Sequence, residues 1–167
     1  MNLKNKLKLL SLVAVITVIT TSFTISNLSS ESAYKCMVQL TNYEGEGAYV
    51  VVSLINPKGD YEKTLYVLGD DDEWYFDIDE WWKFHGKVRA DISGITGATI
   101  SGGERSIFVL NIEDEKIDKG YKLRFETAVE DQEYYTKDVE FDLTTEALKG
   151  KFEGKGFIRY VRLLPQN

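Results

Sequence analysis

The chain has 167 residues, carries 27 acidic against 20 basic side chains for a formal net charge of −7, and contains one cysteine and one histidine. That length accommodates one domain with its own core after an export signal is set aside, and the negative charge disfavours nucleic-acid partners, because their phosphates would be repelled. The lone Cys36 excludes an internal disulfide, the lone His85 leaves no Cys or His cluster for zinc, and no catalytic motif surrounds either residue.

Residues 1–32 have the pattern of a secretory signal. Three lysines precede an apolar core from Leu9 to Ile19, and the residues after that core are more polar. The apolar run is shorter than the about 20 residues that a spanning helix needs. Because no clean Ala-x-Ala cleavage site follows, the segment is predicted to be either a cleaved signal peptide or a retained N-terminal membrane anchor. Residues 33–167 are predicted to form a single extracytoplasmic domain.

The rest of the chain alternates apolar and polar residues with the period of two that is typical of strands. About seven or eight short strands are predicted, and the connections between them are polar. No long amphipathic helix is expected, and only two short segments favour a helical turn. These features predict an all-β fold, an antiparallel β-sandwich of immunoglobulin-like character. The predicted strands lie around Met37 and at residues 49–55, 64–68, 107–112, 121–129, 139–143 and 156–164, and the helical turns lie at 77–84 and 144–149.

The segment from Gly69 to Trp82 holds all three tryptophans and seven carboxylates. Calcium takes about six to eight oxygen ligands, but the spacing fails the EF-hand pattern at its glycine, so no metal site is predicted. The favoured interpretation is a solvated acidic turn, after which Trp74, Phe76 and Ile78 enter the core at strand spacing. An aromatic surface for a sugar or protein ligand is the alternative.

A loop rich in glycine and hydroxyl residues runs from Asp91 to Gly103. It lacks the sequence patterns of phosphate-cradling loops. Its centre, Thr-Gly-Ala-Thr at residues 96–99, resembles the tetrapeptide on which bacterial flavin transferases esterify flavin mononucleotide (FMN) to a threonine outside the cytoplasm. Ser93 stands where the acidic residue of such motifs usually lies. The alternative is a structural loop in which only small side chains fit. The cofactor-binding residues that the resemblance implies are Thr99 as acceptor, with Asp91, Thr96, Gly97 and Ala98.

Several motifs occur in a recognisable order along the chain. They are a valine-rich strand at 49–52, Thr64-Leu65, Trp74, Trp81-Trp82, Asp91 before Gly97-Ala98-Thr99, and Gly120-Tyr121-Lys122-Leu123 followed by Glu126 and Ala128. This order resembles the exported bacterial family called domain of unknown function 2271, over about Val38 to Glu130. The resemblance implies a periplasmic or extracellular protein with an immunoglobulin-like fold. It also implies a setting near flavin transferases and membrane redox proteins of the PepSY type, beside which some members occur.

Three hypotheses for the function remain open, and none of them requires a catalytic residue. The first is a non-enzymatic exported domain that binds an exported or membrane-associated protein, as an accessory component of a cell-envelope system, for which the family resemblance suggests flavin-linked redox chemistry. The second is a covalent FMN carrier modified at Thr99. The third is a carbohydrate-binding or adhesion module that uses its tryptophans as a stacking platform. An exposed loop at residues 96–101 favours the carrier, and an exposed row of tryptophan rings favours sugar binding.

Overall fold

The computed structural model describes residues 30–166, so nearly all of the predicted signal or anchor segment lies outside the described residues. The described part contains nine strands, one α-helix and four short 3₁₀ helices. The strands are β1 Glu31–Leu40, β2 Tyr49–Ile55, β3 Tyr61–Leu68, β4 Thr96–Gly97, β5 Arg105–Glu113, β6 Lys122–Ala128, β7 Tyr135–Asp142, β8 Lys151–Glu153 and β9 Ile158–Pro165. The α-helix, α1, is Asp79–Val88, and the 3₁₀ helices are Asp72–Asp77, Ser93–Ile95, Asp114–Lys116 and Ala147–Lys149.

The strands form two sheets that pack face to face. One sheet has the order β5-β1-β9-β8 and the other has the order β4-β3-β2-β6-β7. All pairings are antiparallel except that of β3 with β4. The prediction of an all-β sandwich is confirmed. The strand count exceeds the predicted seven or eight because β4 and β8 have only two and three residues, too few to show a pattern in the sequence. The first strand begins at Glu31, two residues before the predicted start of the domain.

No helix within residues 30–166 has the length and hydropathy needed to cross a membrane.

The five-stranded sheet buries both of its faces. Its inner face packs against the other sheet in the main hydrophobic core, to which β2 contributes Val50, Val52 and Leu54. Its outer face carries a second cluster beneath the segment of residues 72–88. The fully buried members of that segment are Ile78 and Trp81, and the Trp81 indole N–H donates to the Thr64 hydroxyl at 2.9 Å. The second cluster consists of Val51, Val67, Tyr75, Ile78, Trp81 and Ala128.

The expectation that Trp74, Phe76 and Ile78 enter the core at strand spacing is wrong for the first two residues. The segment is helical, and the 3₁₀ helix begins where the Asp71 side chain accepts from the backbone N–H of Glu73 at 3.1 Å. The buried residues are Tyr75, Ile78, Trp81 and His85, which recur at the spacing of a helix face. Trp74 and Phe76 therefore face solvent, and they are 39% and 54% exposed.

The fully buried carboxyl group of Asp138 joins the two sheets. The register between β6 and β7 shifts between Phe125 and Thr127, and this irregularity buries Asp138 and its neighbour Val139 together. One carboxyl oxygen accepts from the backbone N–H groups of residues 155 and 156, both at 2.8 Å. The other accepts from the Thr127 hydroxyl at 2.7 Å and from the backbone N–H of Ile158 at 2.9 Å. A side chain of β7 thus holds the turn between β8 and β9 in the opposite sheet.

We expect Asp138→Ala to lower the free energy of unfolding by about 3 kcal/mol or more, because three backbone N–H groups and one hydroxyl lose a buried acceptor. Urea denaturation followed by tryptophan fluorescence measures the loss. The matched control is Asp142→Ala on the same strand, since Asp142 is exposed and makes only a surface ion pair with Lys122 at 3.3 Å. Equal effects of the two substitutions would contradict this role for Asp138.

Candidate functional site

Hydrogen bonds on both sides of Thr99 fix its position. Ahead of it, the Gly97 carbonyl accepts from the N–H of Gly69, and β4 pairs with the end of β3. Behind it, Ile100 and Ala48 exchange two backbone hydrogen bonds, of 2.7 and 3.1 Å. Ile100 is buried, whereas Ala98 and Thr99 are exposed. The loop therefore presents the Thr99 side chain to solvent from a backbone that is held at both ends.

The exposed Thr99 borders a cleft of about 180 Å³ at one end of the sandwich, named here the Thr99 cleft. Three parts of the chain meet there: the residues that lead into β2, the 3₁₀ helix at 72–77, and the residues at the end of β6. Tyr49 and Trp74 supply aromatic surface. The lining residues are Glu46, Gly47, Tyr49, Trp74, Asp77, Thr99, Ala128, Val129 and Glu130.

The lining of the Thr99 cleft is acidic as well as aromatic. It includes the carboxylates of Glu46, Asp77 and Glu130, and it includes no lysine or arginine of the described chain. Burial, with a smaller contribution from the nearby Asp71 carboxylate, raises the pKa of Tyr49 to about 12. The Tyr49 hydroxyl therefore stays neutral near pH 7 and donates to the Asp71 carbonyl at 3.2 Å. Such a surface suits a ligand that is cationic or rich in hydrogen-bond donors.

Close packing beside Thr99 requires a glycine. A Cβ atom on Gly47 would collide with the Thr99 hydroxyl oxygen. The same applies to Gly102, where a Cβ would meet the backbone carbonyl of Tyr43. Of the four glycines of this loop, only Gly103 has a positive φ, of 77°. Within the loop, small size is required at Gly102 and a positive φ at Gly103, whereas a Cβ on Gly94 would meet no other atom.

The structure separates Thr99 from two of the other predicted cofactor-binding residues, Asp91 and Thr96. Asp91 lies just before the 3₁₀ helix at 93–95, and its carboxylate accepts from the Ser93 backbone N–H at 3.0 Å and from the Ser93 hydroxyl at 2.8 Å. These hydrogen bonds lower the pKa of Asp91. The Thr96 hydroxyl donates to the Ser93 carbonyl at 3.3 Å. Asp91 and Thr96 line a different depression, beside Trp82, and neither lines the Thr99 cleft.

The lone histidine and the lone cysteine occupy structural positions. The His85 ring stacks on Trp81 with 4.7 Å between ring centroids, and burial lowers the His85 pKa. Burial raises the pKa of the Cys36 thiol, which lies in the main core. Within residues 30–166, no group of three or more His, Cys, Asp or Glu residues is arranged to hold a metal ion. Trp81 is fully buried, so of the three tryptophans only Trp74 and Trp82 reach the surface.

A buried carboxyl group, Glu126, was not identified from the sequence. It lies beneath α1 and accepts hydrogen bonds from the Tyr61 hydroxyl, at 2.8 Å, and from the Tyr134 hydroxyl. The Tyr134 hydroxyl in turn accepts from the backbone N–H of Glu80, at the start of α1. Burial outweighs these hydrogen bonds and raises the pKa of Glu126 to about 7. The sequence does contain a signal, because β2 is apolar on both faces and therefore predicts that both faces of its sheet are covered. Glu126 pairs with Val51 of β2 and lies on the same covered face.

One known family matches most of the chain. Residues 31–160 match the family domain of unknown function 2271, which is described as a predicted periplasmic protein. The chain belongs to this family. The match extends beyond the predicted range of about Val38 to Glu130 and includes all nine strands in whole or in part. It supports the extracytoplasmic location that the N-terminal segment predicts. Comparisons with curated proteins and with solved structures gave no match.

The raised pKa of Glu126 predicts a pH dependence of stability. Because the folded state holds this proton more tightly than the unfolded state, whose pKa is near 4.5, the stabilisation is complete below pH 4.5 and is lost as the pH rises through 7. We expect Glu126→Gln to remove up to about 3 kcal/mol of this change between pH 4 and pH 8. Urea denaturation across that range measures it. Glu130→Gln, at an exposed position, is the control, and identical pH profiles for wild type and Glu126→Gln would contradict the prediction.

Proposed function

We propose that this protein is a non-enzymatic binding domain of the cell envelope, and that the Thr99 cleft receives a basic side chain of an exported or membrane-associated partner protein. One observation carries the proposal. The cleft combines an exposed tryptophan with three carboxylates, and no cation of the described chain lines it. A lysine or arginine beside such a surface gains both a cation–π contact and charge complementarity.

The dimensions of the Thr99 cleft favour one side chain of a larger partner over a free small molecule. Sites for small molecules usually have volumes of about 300 to 1,000 Å³, whereas this cleft has about 180 Å³. Its walls come from a rigid part of the fold, because the Tyr43 hydroxyl donates to the Ile100 carbonyl and accepts from the Ala48 N–H, both at 2.8 Å. A preformed cleft reduces the entropy that is lost when a partner binds.

We expect a lysine-rich peptide to bind the protein and to quench its tryptophan fluorescence, and we expect Trp74→Ala to raise the dissociation constant about tenfold, equivalent to about 1.4 kcal/mol. Isothermal titration calorimetry measures the dissociation constant for both proteins. Trp82→Ala is the matched control, because Trp82 is 37% exposed against 39% for Trp74 but lies outside the cleft. A glutamine-rich peptide of the same length controls for charge. Equal weakening by both tryptophan substitutions would contradict a site at the cleft.

A covalent FMN carrier is the second candidate, and the exposure of Thr99 favours it. The residues present fit the group in part. Thr99 offers an exposed hydroxyl to a modifying enzyme, and Tyr49 and Trp74 offer aromatic surface to a flavin ring, whereas the lining carboxylates repel a phosphodiester. The flavin would supply electron transfer, and the protein would position it and set its surroundings.

The carrier hypothesis predicts that co-expression with a flavin transferase outside the cytoplasm adds the mass of one FMN less one water. Intact-mass spectrometry and in-gel flavin fluorescence measure the modification. Thr99→Ala should abolish it, and Ser101→Ala, which removes an exposed hydroxyl of the same loop outside both the tetrapeptide and the cleft, should retain it. An unmodified mass beside a transferase that modifies another substrate would exclude the carrier and leave the binding domain.

A further inference from the structure

The sandwich has four edge strands, and three of them have features that discourage pairing with another chain. The edge strands β4 and β8 have only two and three residues. The third, β7, has eight residues, but its pairing with β6 is irregular and it carries the inward-pointing charged residue Asp138. Short length, bulges and inward charges are the usual ways in which proteins protect sheet edges.

The fourth edge strand, β5, has none of these features. It has nine residues and no proline, and it pairs with β1 in unbroken register from Arg105 to Glu113. Within the described chain, its backbone groups form hydrogen bonds only with β1. Two of its outward-facing side chains are apolar, and Ile107 and Val109 are 53% and 42% exposed. A long, regular and apolar edge of this kind is a template for a further strand.

We propose that β5 pairs antiparallel with β5 of a second copy of this chain, about a two-fold axis at Val109. This register sets Val109 opposite Val109 of the second copy, and Ile107 opposite Asn111. At both ends of the pairing, Arg105 lies opposite Glu113. The full length of the strand is used, and two four-stranded sheets become one continuous sheet of eight strands.

The charges at the ends of β5 favour a second copy over an unrelated strand. A two-fold interface places the same surface on both partners, so it requires a strand that is complementary to itself. Here Arg105 at one end of β5 and Glu113 at the other satisfy that requirement in the antiparallel direction, and Glu113, which pairs with Lys63 at 3.0 Å within its own chain, would share its carboxylate with the Arg105 of the second copy. Opposite charges that face each other across a strand pair stabilise it, and so does the contact between the two Val109 side chains. This inference is independent of the Thr99 cleft, whose lining includes no residue of β5.

Cysteine cross-linking of the exported protein tests both the dimer and its register. Directly opposed residues have Cα atoms about 4.5 to 5.5 Å apart, within the range that a disulfide spans. We expect Val109→Cys to form a disulfide-linked dimer on mild oxidation. Ile107→Cys should not, because its two copies lie about 14 Å apart along the strands. Ile107→Cys combined with Asn111→Cys should cross-link again. The native Cys36 is buried and does not compete. Cross-linking of Ile107→Cys without Val109→Cys would overturn the register.

Sedimentation velocity over a range of concentrations tests the association itself. We expect wild-type protein to dimerise and Val109→Lys, which sets two lysines face to face on the axis, to weaken dimerisation at least tenfold. Val88→Lys is the matched control, since Val88 is also exposed and apolar but lies on α1. Arg105→Glu should weaken the dimer, and Arg105→Glu combined with Glu113→Arg should restore it. A monomer at all concentrations, or a dimer that Val109→Lys leaves intact, would overturn the proposal, and binding only to a strand of another protein would also overturn it.

Discussion

The burial of both faces of the five-stranded sheet is the constraint on which the rest of the structure depends. Six of the seven residues of β2 are buried, so this strand needs apolar cover on two sides. The other sheet covers one side, and the helical segment from Asp72 to Val88 covers the other. Large side chains such as Trp81 and Ile78 supply that cover, and each contributes about 1.5 to 3 kcal/mol when fully buried. The acidic residues of the segment must then face solvent.

This cover also determines where polar groups are buried. The outer face of β6 carries Glu126, which loses contact with water once α1 lies over it. Two tyrosine hydroxyls replace the water as hydrogen-bond donors, and the chain from Glu126 through Tyr134 to the N–H of Glu80 connects the sheet to the start of the helix. The arrangement orients the helix on the sheet, and the cost is a carboxyl group that holds its proton to about pH 7.

The fold class could be predicted because strand alternation is visible in neighbouring residues and the length of the chain limits the number of domains. The helical cover was predicted only in part, because the helical turn expected at 77–84 overlaps α1 whereas the 3₁₀ helix at 72–77 was not expected. Two signals for the cover are present in the sequence. The apolar run at 49–55, which only Ser53 interrupts, is typical of a strand buried on both faces, and Tyr75, Ile78 and Trp81 recur at helical spacing. The role of Asp138 could not be predicted, because three of its four partners lie 17 to 20 residues away, in the turn and strand of the opposite sheet, and only the irregular register of β7 directs it there. Thr99 was a candidate from its tetrapeptide, but its separation from Asp91 depends on the fold.

The acidic lining of the Thr99 cleft orders the two candidate functions by physical argument. A phosphodiester on Thr99 would carry a negative charge close to the carboxylates of Glu46, Asp77 and Glu130. Each such pair, at about 4 Å, costs about 1 kcal/mol in water and more at a partly buried site. A basic side chain of a partner at the same place reverses the sign of each of these energies. A flavin carrier would therefore have to keep its phosphate in solvent, with only the ring against Trp74, whereas a cationic ligand can enter the cleft.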